Sequence, residues 1–122
     1  IIGAGQSLNS SSNLFQKSIL EMKYLIKYFK GNDDTISGLA GVGDLYVSAA
    51  GGRNSKMGSY LGKGFTFQIA KKRFMPKDTV EGEQLAREIA PFILKKINRS
   101  KIPLMINLLK TILGNKKLKI KV

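Results

Sequence analysis

Apolar residues recur at steps of three and four along most of this chain, which is typical of amphipathic helices. The first such stretch covers residues 14–30, follows a polar run at residues 9–13 that offers several N-caps, and ends at Gly31. The predicted apolar face of this helix consists of Phe15, Ile19, Met22, Ile26 and Phe29. We therefore expect one long helix near the start of the chain.

The middle of the chain is rich in glycine. Asp33 and Asp34 are N-cap signals for residues 35–50, but the glycines in this segment are too numerous for a helix supported by propensity alone. Glycines in such a place indicate the close approach of another backbone or of a ligand. After Gly-Gly, residues 53–61 are predicted to form a short helix that stops at Gly62.

The last third of the chain has two further helical patterns. Residues 80–98 form a helix that Pro91 is expected to kink or divide, and residues 103–113 form a last helix ended by Gly114. The predicted apolar face of the first of these consists of Leu85, Ile89, Phe92, Ile93 and Ile97. The tail at residues 115–122 alternates Lys with apolar residues, which indicates either an added strand or, as we prefer, a frayed basic end.

These patterns predict an all-α protein, a single domain of five to six helices over residues 1–122, with no Rossmann domain. A hydrophobic content of 43% excludes wholesale disorder, and the absence of Cys and His excludes disulfides and the commonest metal ligands. We therefore expect a cytoplasmic protein with no metal. We also expect no stable membrane insertion, because no apolar run is long enough to span a bilayer. The net charge of +13 favours an anionic partner, but on charge alone we prefer a Lys-rich coding bias as its explanation.

The opening residues 1–5, IIGAG, look like the start of a dinucleotide-binding loop. That loop needs a third glycine where this chain has Leu8, and an acidic residue about twenty positions later, where it has Lys27, Tyr28 and Phe29. The second strand of the unit is also missing, because helical periodicity continues instead. We interpret the opening as a glycine turn between two elements.

Residues 38–54 carry the most specific chemistry. Asp44 and Ser48 are four residues apart and share one face of a helix, while Arg53 and Asn54 follow two glycines at a helix start. Exposed amides and an Arg fork favour a phosphate there, beside an acidic group. From the residues alone, a solvated helix start and a capping Asp explain the same pattern.

Residues 38–64 closely resemble the hallmark segment of the NAD(P)-dependent sn-glycerol-3-phosphate dehydrogenases, in which Gly-Leu-Ala-Gly-x-Gly-Asp-Leu precedes Arg-Asn and then Leu-Gly-x-Gly. The opening IIGAG, ILEM at 19–22, VEG at 80–82 and the helix at 103–113 also resemble that family, in the right order. The resemblance implies the helical C-terminal, substrate-binding domain, similar to that of 6-phosphogluconate dehydrogenase-like enzymes. A separate N-terminal Rossmann domain would hold NAD or NADP, and glycerol 3-phosphate and dihydroxyacetone phosphate would be interconverted by hydride transfer.

The resemblance also implies roles for the residues of the central segment. Asp44 matches the acid that pairs with the catalytic Lys, and Ser48 a small hydroxyl residue near the reaction centre. Arg53 and Asn54 match the pair that binds the substrate phosphate, with Arg53 also near the cofactor. The catalytic Lys itself would lie immediately before Ile1, so we expect the isolated chain to be inactive.

Three further assignments come from less similar parts of the chain. Glu81 and Thr79 match a cofactor contact, after a two-residue insertion in the alignment. Asn9 matches the Asn that caps the following helix and reaches the substrate, with Asn13 as the rival, and Ser11 stands where that family usually has Lys or Arg.

Two alternative functions remain at this point. A basic helical module that binds nucleic acid or an anionic membrane explains the +13 charge and the tail, but not the spacing of Asp44, Arg53 and Asn54. The C-terminal domain of a related hydroxyacid dehydrogenase shares the architecture but has different substrate motifs. The expected partners are glycerol 3-phosphate, dihydroxyacetone phosphate and the Rossmann domain. Exposed apolar faces would allow a homodimer, and no nucleic acid is expected.

Overall fold

The computed structural model describes residues 1–120, apart from the side chains of Asp33, Ile36, Leu39 and Ala40. Over this range the chain forms seven α-helices and no strand, and six of the helices have seven residues or more. They are α1 Leu8–Tyr28, α2 Asp33–Ser37, α3 Asp44–Ala50, α4 Arg53–Gly62, α5 Phe67–Phe74, α6 Glu81–Lys96 and α7 Pro103–Leu113. The predicted all-α class is confirmed, and α2 is a single additional turn.

Helix α1 begins earlier than the periodicity predicts, because a serine upstream of the polar run caps it. Ser7 Oγ accepts a hydrogen bond of 3.1 Å from the N–H of Ser10. Asn9 therefore lies inside the first turn and is exposed, so the expectation that it caps this helix is wrong. The predicted apolar face is only partly covered, since Phe29 at its end is 58% exposed.

The glycine-rich centre is a chain of short elements rather than one helix. Asn32 Oδ1 accepts from the N–H of Asp34 and caps α2, one residue before the predicted cap. A π-helical turn at Leu39–Gly43 then leads directly into α3. The low helix propensity of glycine accounts for the interruption.

Helices α4 and α7 have the predicted bounds to within one residue, whereas α5 and α6 differ from expectation. The sequence patterns predict no helix over residues 67–74, but Thr66 Oγ1 accepts from the N–H of Ile69 and caps a helix there. Pro91 does not divide α6, which runs continuously through it. Within the described part of the chain, none of the helices is long and apolar enough to cross a bilayer.

The core lies between α4, α5, α6 and α7. Its buried apolar side chains come from all four helices and the loops between them, and they include Met57, Leu61, Phe67, Ala70, Met75, Val80, Ala86, Ala90, Ile93, Ile102, Leu109 and Ile112. Helix α6 buries its Ala86–Ala90–Ile93 face, and Leu85 and Phe92 of the predicted face are 55% and 41% exposed. Ile93 and Ile97 of the predicted face are buried and Ile89 packs against the core, so the prediction is right for these three residues and wrong for Leu85 and Phe92.

A buried carboxylate joins α1 to α7. Glu21 is 9% exposed, and its two oxygens accept hydrogen bonds of 2.6 and 2.9 Å from the N–H groups of Leu104 and Met105. These amides are among the unpaired donors at the start of α7, so Glu21 caps that helix from a distance in sequence. Burial raises the pKa of Glu21, and the two backbone hydrogen bonds oppose that shift.

The opening glycines are packing residues. A Cβ at Gly3 would lie 2.4 Å from the carbonyl oxygen of Ser55. A Cβ at Gly62 would likewise lie 2.3 Å from the carbonyl oxygen of Ala4, so α4 rests directly on the backbone of the Ile2–Ala4 turn. The opening residues therefore form a tight turn packed on α4, and the close approach of the two backbones accounts for glycine at positions 3 and 62.

The described part of the tail is held at two points. Asn115 Oδ1 accepts a 3.0 Å hydrogen bond from the N–H of Gln68 at the start of α5. Leu118 packs against the core cluster. Residues 115–120 form neither helix nor strand, and the last two residues of the predicted tail lie outside the described residues.

Candidate functional site

The candidate site begins at the N-terminus of α4, directly after two glycines. Gly51 is extended, and Gly52 has φ 94°, a left-handed conformation that side-chain-bearing residues rarely adopt. This turn directs the chain into α4 with Arg53 and Asn54 as its first two residues, both exposed. Amides in the first turn of a helix have no partner within the helix and favour an anion.

Arg53 is paired with a carboxylate from another helix. Its Nη2 donates to Oε1 of Glu81, the first residue of α6, and the two side chains are 51% and 53% exposed. The sequence separates these residues by 28 positions, and the fold places them in direct contact. Two of the predicted site residues therefore meet.

Asn54 makes the second link between the starts of α4 and α6. Its Oδ1 accepts a 3.1 Å hydrogen bond from the N–H of Gly82. A Cβ at position 82 would lie 3.1 Å from that same oxygen, closer than ordinary contact, so a larger residue would push the Asn54 side chain away. The Glu81-Gly82 pair thus fits Arg53-Asn54 as a unit, and the amide NH₂ group of Asn54 still has donors for a ligand.

A second cation lies one turn further along α4. Lys56 Nζ is 3.8 Å from Asp78 Oδ2, in the loop before α6, and both side chains are partly exposed. Arg53, Lys56 and Asp78 line one open groove of about 490 Å³ together with Ser55 and Ser59. Lys56 and Asp78 were not among the predicted site residues, although the three-residue spacing of Arg53 and Lys56 places both cations on one face of the helix and was a usable signal.

The two cations of this groove face two carboxylates. Arg53 and Lys56 carry two positive charges, while Glu81 and Asp78 carry two negative ones. The four side chains are between 38% and 53% exposed, and exposed pairs of this kind contribute at most about 1 kcal/mol each. An incoming anion can therefore exchange with the carboxylates at small cost.

Asp44 and Ser48 lie on the neighbouring helix α3, both exposed. Helix α3 is tied to α4 by a 3.2 Å hydrogen bond from Ser55 Oγ to the carbonyl of Ala49. Among the described residues, no hydrogen bond or ion pair joins Asp44 or Ser48 to Arg53. The structure thus places these two residues on an adjacent helix, without a hydrogen bond or ion pair to Arg53 or Asn54 in the described part of the chain.

The remaining predicted residues lie around this centre. Thr79 is exposed in the loop just before α6, next to the buried Val80. Asn9 is in the first turn of α1, beside an apolar groove of about 420 Å³ between the opening turn, α1 and α3. Leu8 and Tyr46, which line this groove, are 87% and 72% exposed. No hydrogen bond or ion pair joins Thr79 or Asn9 to Arg53 in residues 1–120.

Comparison with known proteins identifies the family to which the chain belongs. The family described as NAD-dependent glycerol-3-phosphate dehydrogenase C-terminus matches residues 1–122. Glycerol-3-phosphate dehydrogenase (NAD(P)+) of Onion yellows phytoplasma is 36% identical over 70 residues, which is 56% of this chain and 21% of that protein. The corresponding protein of Aster yellows witches'-broom phytoplasma is 38% identical over 79 residues, 63% of this chain and 23% of that protein.

An archaeal relative matches a longer segment. The NADP(+)-dependent glycerol-3-phosphate dehydrogenase of Archaeoglobus fulgidus is 36% identical over 92 residues, 74% of this chain and 27% of that protein. The chain thus spans about a quarter of the length of these relatives. No solved structure shows a significant match. Because the family matches from the first residue to the last, this chain belongs to the family of the C-terminal domains of NAD-dependent glycerol-3-phosphate dehydrogenase.

Proposed function

We propose that this chain is the substrate-binding domain of an NAD(P)-dependent glycerol-3-phosphate dehydrogenase. The observation that carries the proposal is the joint between α4 and α6, where Arg53 meets Glu81 and Asn54 meets Gly82. It brings together, where the N-termini of α4 and α6 meet, three of the residues that the family resemblance assigns to phosphate and cofactor: Arg53, Asn54 and Glu81. Glycerol 3-phosphate and dihydroxyacetone phosphate are the substrates that this assignment implies.

The substrate phosphate would bind at the start of α4. The Arg53 guanidinium offers a planar fork that matches two phosphate oxygens, and the Asn54 NH₂ group can donate a further hydrogen bond. Lys56, one turn along the same groove, adds a second positive charge. Both ion pairs are exposed, so Glu81 and Asp78 can release these cations to the phosphate.

Asp44 would act outside the phosphate groove. An exposed carboxylate at the start of α3 can pair with a lysine supplied from outside the described residues, hold that ammonium group in place and favour its charged form. Ser48 lies one turn further on the same face of α3, where its hydroxyl can donate to or accept from the reacting oxygen. Asn9 is proposed to reach the substrate from the first turn of α1.

NAD or NADP, when bound, supplies the hydride acceptor or donor of this reaction. In this chain, Glu81, Arg53 and Thr79 are the residues proposed to contact it. Glu81 fits that role because its carboxylate is half exposed and becomes available once phosphate takes the guanidinium. The expected homodimer, the cytoplasmic location and the docking of a Rossmann domain stay predictions.

A titration of the chain with glycerol 3-phosphate tests the phosphate site directly. We expect saturable amide chemical-shift changes centred on Arg53, Asn54 and Gly82, and none with glycerol at the same concentration. Arg53→Gln should weaken binding at least tenfold, whereas Arg99→Gln, on the loop before α7, should leave it unchanged. Changes confined to other residues, or equal losses in both variants, would contradict the proposal.

A further inference from the structure

Three aromatic side chains form an exposed cluster at the opposite end of α6 from the phosphate groove. Tyr28, Phe29 and Phe92 are 41%, 58% and 41% exposed. The rings of Phe29 and Phe92 are stacked, with centroids 5.6 Å apart. Tyr28 meets both edge-on, at 5.3 and 6.3 Å. Exposed aromatic side chains that lie together at the surface, bordered by polar residues, are typical of interaction sites.

Lysines surround this aromatic cluster. Lys30 directly follows Phe29 and has φ 59°, where the chain turns at the end of α1. Lys95 and Lys96 come three and four residues after Phe92, a spacing that places them on the same side of α6. All three lysines are exposed. The patch therefore combines an apolar centre with a cationic border.

We propose that the aromatic cluster and its lysines dock on an anionic lipid bilayer. Aromatic rings favour the region between headgroups and acyl chains, and each lysine near an anionic surface adds attraction to the lipid phosphates. The attachment is peripheral, because no helix of the described chain is built to span a bilayer. This inference does not depend on the proposed dehydrogenase function.

The observations favour a bilayer over two other occupants. A second copy of the chain would bring Lys95 and Lys96 against lysines of the same surface, and like charges oppose such a contact. A single-stranded nucleic acid needs open ring faces for its bases, and Phe29 and Phe92 already stack on each other. Ring edges and lysine ammonium groups, which remain at the surface, suit lipid headgroups.

Vesicle co-sedimentation tests the proposal. The chain is mixed with vesicles of phosphatidylcholine alone, or of phosphatidylcholine and phosphatidylglycerol in equal parts, at low and at physiological salt. We expect binding to the anionic vesicles only, weakened by salt. Because the chain contains no Trp, Phe29→Trp gives a single reporter, whose emission should shift to the blue on binding.

Two double lysine variants show whether vesicle binding depends on this surface or only on the net charge of the chain, and a double aromatic variant tests the rings. Lys95→Gln with Lys96→Gln should weaken binding about five-fold for each lysine. The matched control, Lys72→Gln with Lys77→Gln, removes the same charge from α5 and the loop after it, and should change binding less than two-fold. Phe29→Ser with Phe92→Ser should abolish the anionic binding while circular dichroism shows an unchanged helix content.

Four outcomes would overturn the proposal. They are no vesicle binding at all, equal loss of binding in the two lysine variants, equal binding to neutral vesicles, and self-association that Phe29→Ser with Phe92→Ser abolishes in the absence of lipid.

Discussion

The ion pair between Arg53 and Glu81 makes a specific prediction about substrate affinity. In the structure the guanidinium that we assign to the substrate phosphate is occupied by a carboxylate. A phosphate must displace that carboxylate before it can bind. Glu81→Gln should therefore increase the affinity of the isolated chain for glycerol 3-phosphate, because a neutral amide competes less well.

The exposure of the pair sets the size of this effect. With the side chains 51% and 53% exposed, solvent and salt screen the interaction, and an exposed pair contributes about 0–1 kcal/mol. Recovering that amount tightens binding up to about five-fold, since 1.4 kcal/mol corresponds to a factor of ten. We expect about two- to five-fold at low salt, and less as ionic strength rises.

Isothermal titration of the chain with glycerol 3-phosphate, at two salt concentrations, measures the change. Glu83→Gln is the matched control, because it removes the same charge from the first turn of α6 but its carboxylate pairs with Arg87 instead. The control should shift the affinity much less than Glu81→Gln. Weaker binding in Glu81→Gln would refute the competition and show that Glu81 holds Arg53 in its binding position.

Four other predictions concern stability and activity. Glu21→Ala leaves buried amides of α7 unpaired and should lower the free energy of unfolding by about 1–3 kcal/mol in urea titrations, against less than about 0.5 kcal/mol for the exposed Glu88→Ala. Burial raises the pKa of Glu21 above its ordinary 4.5, so the stability that protonated Glu21 contributes is complete below pH 4.5 and is lost as pH rises through the raised pKa. Glu21→Gln should therefore flatten the dependence of the free energy of unfolding on pH. Parallel pH dependences in the variant and the original chain would contradict this. Gly62→Ala should lower the free energy of unfolding by about 1–3 kcal/mol in the same titrations, because its Cβ would clash with Ala4. Gly51→Ala, which has open space around it, should be close to neutral. Equal losses in the two variants would exclude close packing as the cause. The isolated chain should not reduce NAD or NADP with glycerol 3-phosphate, and any absorbance change at the nicotinamide band above that of Arg53→Gln would contradict this.

Local sequence signals were sufficient to predict the helices whose ends are marked by glycine or proline. Helices α4 and α7 begin after Gly-Gly and at Pro103 and end at or near glycines, and their bounds follow from those residues alone. The Arg53-Asn54 pair at the start of α4 follows in the same way. In each case the determinant is a backbone preference of one or two residues, which neighbours in space do not alter.

Long-range contacts decided the rest of the fold. The periodicity of α6 identified large apolar residues, but Ala86 and Ala90 are buried while Leu85 is 55% exposed. Small side chains let neighbouring helices approach closely, so the buried face depends on the shape of the partner as well as on hydrophobicity. Likewise, Glu21 is buried only because α7 offers it two amides, and no local pattern shows this.

In the candidate site, too, the local motif was predictable from the sequence and the contacts between distant residues were not. Residues 44, 48, 53 and 54 stand within one short segment, so their motif is visible without a fold. The contacts of Arg53 with Glu81 and of Asn54 with Gly82 join residues 28 positions apart, and they exist because the core brings the starts of α4 and α6 together. A linear sequence carries residue types and local preferences, but the charge that faces a given side chain is set by packing.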